Sequence, residues 1–424
     1  MGRRAANGRS SIYQDTRGRW HGVVSMGSGL DARPVRRHVS GAKRTEVTNQ
    51  VRELERQRDA GAVTASSRTT LAAWMAMWIS KREALGSVRR RTLDGYRVDQ
   101  HHIVAAIGTA RLEGLRPAHV ERLWEAMVAA GRAASIAHCR RTLMAALNEA
   151  ASRGLLARNP VKLANTPKVE SPEIEPYTVE QMCQLLDAAR GTRNAPRWTL
   201  AAVLGLRQGE VLGLQWADLD LTAEGTVTVR RQLQRLGWQH ACENPSDCRT
   251  VSGTKAKRGA DCPQRAGGGL VLRPVKSTAG RRVLTLPPSL TAELRAHRRA
   301  QVAERLASEI WDEGPGGGWL FAHEAGGPLD PRADLRAFKE LCIEAGLPSR
   351  RLHDLRHSAA TMMLDSDLDL KTAGQVLGHS QLALTARYQH VLADRKSVAA
   401  SRIEAAMFGR RKGLGHADRP STAP

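Results

Sequence analysis

No run of about 18 apolar residues, the length that a membrane-spanning helix needs, occurs in this chain. The most apolar stretch, Leu71 to Ile79, is interrupted by tryptophans at helical spacing and reads as a buried helix face. Met1-Gly2-Arg3-Arg4-Ala5-Ala6 is charged but leads into no apolar segment, and Ala6 lacks the hydroxyl of a myristoylation signal. Cysteine is scarce: six in 424 residues are too few for a disulfide scaffold. No G-x-x-x-x-G-K-[ST] loop is present, so no phosphate cradle for a nucleoside triphosphate is expected. Acid is in deficit. Against 65 Lys plus Arg stand 42 Asp plus Glu, a net charge of +23 that predicts a polyanionic partner, nucleic acid first among them. The excess is spread along the chain, since residues 1–60 already carry 13 basic and 6 acidic residues. Aromatic and aliphatic residues recur between the charges, which predicts folded domains rather than a basic tail.

The length predicts roughly three domains. Residues 1–63 alternate and turn like a small sheet, with strands near 11–14, 19–24 and 34–39 and a turn at Gly18. A charged helix follows over 42–60 with Val47, Val51 and Leu54 on one face, so an α+β module is expected. Residues 64–163 read as an all-α bundle of four helices, over 71–85, 90–107, 117–130 and 134–151. The last carries Ile136, Cys139, Leu143, Met144 and Leu147 on one face, with Gly154 as its stop. Arg89-Arg90-Arg91 and Arg140-Arg141 on its polar sides predict phosphate contact. Residues 164–178, with Pro167, Pro172 and Pro176 among Glu170, Glu173 and Glu175, have the composition of a stiffened linker. From 179 to 410 helices surround strands near 226–232, 269–273 and 282–286, a mixed, mainly helical α+β domain. An insertion over 233–268 interrupts it, and 411–424 reads as a disordered tail.

Four tyrosines occur in all, and one of them, Tyr388, lies nine positions after His379 in Leu377-Gly378-His379-Ser380-Gln381-Leu382-Ala383-Leu384-Thr385-Ala386-Arg387-Tyr388. Its free phenol, with a pKa of about 10, is a poor nucleophile unless fixed cations support its charge. Candidates for those cations exist. Arg207 in Leu206-Arg207-Gln208-Gly209-Glu210 offers a planar, permanently charged fork that Glu210 can orient. In His353-Asp354-Leu355-Arg356 the i, i+3 spacing places His353 and Arg356 on one side of a helix start, within reach of one phosphate. His379 follows Gly378, a helix-ending position, so its ring is presented from a turn.

In this order the boxes resemble the signature of the tyrosine recombinases, the phage-integrase family. The resemblance covers most of the chain. It implies an arm-type DNA-binding module over 1–63, a core-binding domain over 64–163 and a catalytic domain over 179–410. It also implies a catalytic set of Arg207, Lys276, His353, Arg356, His379 and Tyr388. Lys276, in Pro274-Val275-Lys276-Ser277-Thr278-Ala279-Gly280-Arg281-Arg282, matches the hairpin lysine that protonates the leaving 5′ oxygen, although Val275 stands where the family more often has lysine. The implied reaction joins Tyr388 to a 3′ phosphate, frees a 5′ hydroxyl and exchanges strands, with no cofactor required for catalysis. The implied partners are double-stranded DNA attachment sites, three further copies of the chain in a tetramer, an excisionase and a host DNA-bending protein. The expected place of action is cytoplasmic, on the bacterial nucleoid, and the implied process is integration or excision of a phage or mobile element. A type IB topoisomerase-like enzyme and a noncatalytic DNA-binding regulator are the alternatives.

The insertion holds His240, Cys242, Cys248 and Cys262, one imidazole and three thiols that suffice for a tetrahedral structural zinc site of the Cys3His type. The spacing is irregular and contains no CxxC, so a flexible basic loop with reduced thiols is the competing expectation.

Overall fold

A computed structural model describes residues 10–28, 34–59, 69–169, 175–222, 224–366 and 368–378. The chain separates into two compact units, residues 1–172 and 173–424. Among the described residues no helix is long and apolar enough to cross a membrane.

In the first unit, strands β1 (Ser11–Gln14), β2 (Trp20–Ser28) and β3 (Pro34–Gly41) form an antiparallel sheet in that order. Helix α1 (Arg44–Asp59) lays Val47 and Val51, one turn apart, on the sheet face that carries Val24 and Met26. Four longer helices follow: α2 (Leu71–Ala84), α3 (Arg90–Ile107), α4 (Pro117–Ala129) and α5 (Ile136–Ser152). Their shared core contains Trp74, Trp78 and Trp124. A buried indole needs an acceptor, and two have one: Trp74 Nε1 donates to Ala146 O at 3.1 Å and Trp78 Nε1 to Glu149 Oε2 at 2.9 Å. Asp99 is buried in the same bundle, accepting from the Thr142 hydroxyl and lying 2.6 Å from His138 Nδ1.

The second unit opens with α6 (Val179–Ala189), whose start is fixed by a reciprocal cap between Thr178 and Gln181. Then come α7 (Pro196–Val203) and the short α8 (Gln208–Leu212). After the strands, α9 (Pro288–Ala307), α10 (Pro331–Glu344), α11 (Asp354–Asp365) and α12 (Leu370–Leu377) complete the shell around Leu185, Leu200, Leu294, Leu320, Phe338 and Leu355. The strands are β4 (Leu219–Asp220), β5 (Thr226–Val229), β6 (Arg231–Leu236), β7 (Gln239–His240), β8 (Arg265–Ala266), β9 (Gly269–Pro274) and β10 (Arg282–Thr285).

Their pairing departs from the simplest sequence expectation. The two strands that flank Lys276, β9 and β10, do not pair with each other. β6 pairs with β9, from Arg231 opposite Pro274 to Leu236 opposite Gly269, and β5 pairs with β10, from Thr226 opposite Thr285 to Val229 opposite Arg282. Segment 226–236 is therefore one long strand with a break at Arg230, and residues 275–281 bulge out opposite that single residue. The cause is visible in the packing. Val227, Val229 and Leu284 belong to the main core, whereas Leu233 packs with Leu212, Trp319 and Ala322 in a separate cluster. One ribbon serving two cores must change direction between them. The insertion grows from the far end, after Leu236, because residues 233–236 continue the paired strand.

Candidate active site

Two of the described catalytic candidates, Arg207 and Arg356, are attached to the C-terminal end of α12. A helix leaves its last carbonyls without intrahelical partners. Here Val376 O accepts from Arg282 Nε at 2.6 Å, Leu377 O from Arg356 Nη2 at 2.6 Å, and Gly378 O from Arg207 Nη2 at 3.5 Å. Three guanidinium groups thus form a collar on the negative pole of that helix. Gly378 ends it in the left-handed conformation at φ 69°, directly before His379.

Each arginine is held from behind. Arg207 caps α8: its backbone N–H donates to Glu210 Oε2 at 3.2 Å and its Nη1 to Glu210 Oε1 at 2.7 Å. Glu210 is buried and also receives Arg282 Nη2 at 2.9 Å. Burial pushes the Glu210 carboxyl up, but the guanidiniums of Arg282 and Arg207 outweigh it and hold the group below the ordinary glutamate range. Arg356, 2% exposed, sends Nη1 to Gly205 O at 2.7 Å. Gly205 sits at φ 60°, and a Cβ there would lie 2.6 Å from Leu377 Cδ2, so the turn from α7 into the Arg207 segment admits only glycine. Gly209 lets α8 lie on β6, where a Cβ would meet Leu233 O at 2.9 Å. Behind α8 stands a buried pair, Arg197 Nε to Asp334 Oδ1 at 2.9 Å, and Gln208 Nε2 donates to Asp334 Oδ2 at 2.9 Å.

His353 precedes α11, its ring edge-on to that of His357 with centroids 5.1 Å apart. Loss of hydration pulls the imidazole down to about 4, helped by the positive charges of His357, Arg356 and Arg207. It is neutral near pH 7 and able to accept a proton.

Lys276 stands in the 275–281 bulge, in an open cleft of about 740 Å³ also lined by Arg230, Arg231, Arg273 and Arg281. Asp218 balances part of that charge, 2.8 Å from Arg230 Nε and 2.9 Å from Arg231 Nη2. Arg282 ties the bulge to the collar, since its Nη1 donates to Gly280 O at 3.0 Å. The structure therefore brings Arg207, His353 and Arg356 together and links the Lys276 loop to them. His379 and Tyr388 lie outside the described residues. Arg282 was not singled out by sequence reasoning, although a signal existed. It shares the inward face of β10 with Leu284, and an arginine on an apolar strand face demands a buried carboxylate.

Away from this site, the ligand atoms of His240, Cys242, Cys248 and Cys262 all lie within 4.8 Å of one another.

Comparison with known proteins gives a consistent answer. The family model described as the phage integrase family matches residues 280–395. An integrase of Saccharopolyspora erythraea is 37% identical over 96% of this chain and 98% of its own length. A protein named tyrosine recombinase XerC-like, from Caldanaerobacter subterraneus, is 30% identical over 59% of this chain and 60% of its own. Among solved structures, the Tn1549 transposon integrase in complex with transposon right end DNA shares the fold at TM-score 0.62 and 18% identity, covering 80% of this chain and 100% of that one. With a relative this similar along nearly its entire length, the chain belongs to the phage integrase family of tyrosine recombinases.

Proposed function

We propose that Arg207 and Arg356 of the guanidinium collar hold a scissile DNA phosphate and that Tyr388 attacks it. The enzyme is a tyrosine-type site-specific recombinase of mobile elements; the residue roles are the proposal. Arg207 and Arg356 would neutralise the nonbridging oxygens, as two permanently charged, braced groups can without reorganising in the transition state. The Tyr388 oxygen forms the new bond to phosphorus, its proton passing to a neutral imidazole such as His353. The bond to the 5′ oxygen breaks, and Lys276 supplies that oxygen's proton. His379, one residue beyond the pinned Gly378, would bond to the same phosphate. Ester energy is conserved in the phosphotyrosyl link, so a free 5′ hydroxyl from a second strand reverses the step with no cofactor.

The reading extends to the rest of the molecule. Residues 1–63 would bind arm-type sites and 64–163 the core site. Four copies would hold two duplexes, with an excisionase and a host DNA-bending protein setting the direction. The observation that carries the proposal is the convergence of Arg207 and Arg356 on the end of α12 beside His353. A nicked suicide substrate tests it. Wild-type protein should be captured covalently on DNA and Tyr388→Phe should not, while strand transfer to a second duplex distinguishes recombination from relaxation of one duplex. DNA binding without any capture by the wild type would leave only a noncatalytic regulator.

A further inference from the structure

The insertion between β6 and β9 has almost no apolar core. Its one buried cluster consists of Cys248, Ala256 and Cys262, with Cys242 packed against them. Residues 237–268 nevertheless hold a defined path. β7 pairs with β8, setting His240 opposite Arg265, and Ala241 N donates to Gln264 O at 3.1 Å. A small hairpin over 249–255 is closed by Thr250 N to Thr254 O at 2.7 Å and Ala256 N to Cys248 O at 2.7 Å. Ordering about 30 residues costs far more free energy than one alanine, three thiols and the half-buried Trp238 beneath Arg265 return as apolar burial, so a lobe of this size requires a cross-link.

We propose that His240, Cys242, Cys248 and Cys262 bind one zinc ion that serves as this cross-link. Tetrahedral zinc at roughly 2.3 Å from sulfur and 2.0 Å from nitrogen places its donors about 3.5–3.8 Å apart. The four donors here fall within 4.8 Å of one another, with Cys242 Sγ 4.0 Å from His240 Nδ1. Small movements close the shell. Cys248 and Cys262 are buried, whereas His240 and Cys242 are half-buried, as expected of a site formed at the base of a lobe. A disulfide would use two thiols and leave the third thiol and the imidazole in the same cluster without a role. Four ligands and no place for substrate make the site structural, and binding Zn²⁺ releases the protons of the thiols. The ion holds the ends of the lobe together and leaves the ribbon's chemistry to Lys276.

The full-length protein, purified without chelator and dialysed, should contain one zinc per chain. Replacement by Co²⁺ should give sulfur-to-cobalt charge-transfer bands and the visible bands of a tetrahedral site. Cys248→Ser and Cys262→Ser should lower zinc stoichiometry at least tenfold, and Cys183→Ser, at an exposed thiol elsewhere, should not. Chelator should also speed tryptic cleavage after Arg249, Lys255, Lys257 and Arg258. Cobalt spectra without thiolate bands, unchanged zinc in Cys248→Ser, or an unreduced mass showing a disulfide within the cluster would each overturn the assignment. Strand-transfer activity does not enter the measurement, so it stands or falls apart from the recombinase reading.

Discussion

Replacing Arg282 by methionine should loosen the whole collar, even though no role in touching DNA is assigned to it. The side chain is 7% exposed and its partner Glu210 3%. It donates to Glu210, Val376 O and Gly280 O, three acceptors on three separate segments. Removing one partner of a buried ion pair costs about 3–5 kcal/mol, because the remaining charge is left poorly compensated. Each carbonyl that loses its donor would add about 1–3 kcal/mol, though the terms overlap and do not sum. A loss of about 4 kcal/mol is therefore expected for the second unit. Glu210→Gln removes the same pair from its other end, so the double variant should cost clearly less than the two single changes together. Hydrogen exchange of peptides from β5 and β10, followed in urea, reads the unit's opening free energy for all four proteins. Cleavage of the suicide substrate should fall about 10²-fold in Arg282→Met, the penalty of a small misplacement of the reacting groups, with DNA affinity little changed. Single costs that add within about 0.5 kcal/mol would refute the network, since uncoupled sites behave in that way.

Gly205→Ala should destabilise the second unit by about 2–4 kcal/mol through left-handed strain plus overpacking against Leu377. Gly346→Ala, at φ 65° but facing open space, should cost only the strain, and equal melting temperatures for the two would disprove the close-packing argument. His353 has its folded pKa below its unfolded one, so the stability it contributes is complete above about pH 6.5 and is lost as pH falls toward 4. The residue as a whole is exposed, and solvent screening keeps the effect to about 1 kcal/mol. Melting temperatures from pH 7.5 to 4.5 should therefore converge for wild type and His353→Gln as the solution becomes acidic, and parallel curves would disprove it.

Local readings of the sequence carried far where the cause was local. On α5 the face read as apolar is the one that packs: Ile136, Cys139, Leu143 and Leu147 are buried, with Met144 beside them. Glu210 orients Arg207 because three residues of helix place a carboxylate over its own N-cap. Gly378 stops α12 because a left-handed residue suits glycine. What sequence spacing could not convey was partnership across the chain. Arg282 meets Glu210 from 72 residues away and Val376 from 94. The break at Arg230 follows from two separate cores pulling on one ribbon, a tertiary cause that strand propensity does not register.

A ribbon that bears the Lys276 bulge midway and an ornament at its outer end keeps the two apart. Six paired positions, from Arg231 opposite Pro274 to Leu236 opposite Gly269, stand between the Lys276 bulge and everything beyond. Loops of other lengths or foreign modules can be grafted past Leu236 while the lysine stays in register, which makes this outer end a natural place for variation and for engineered fusion.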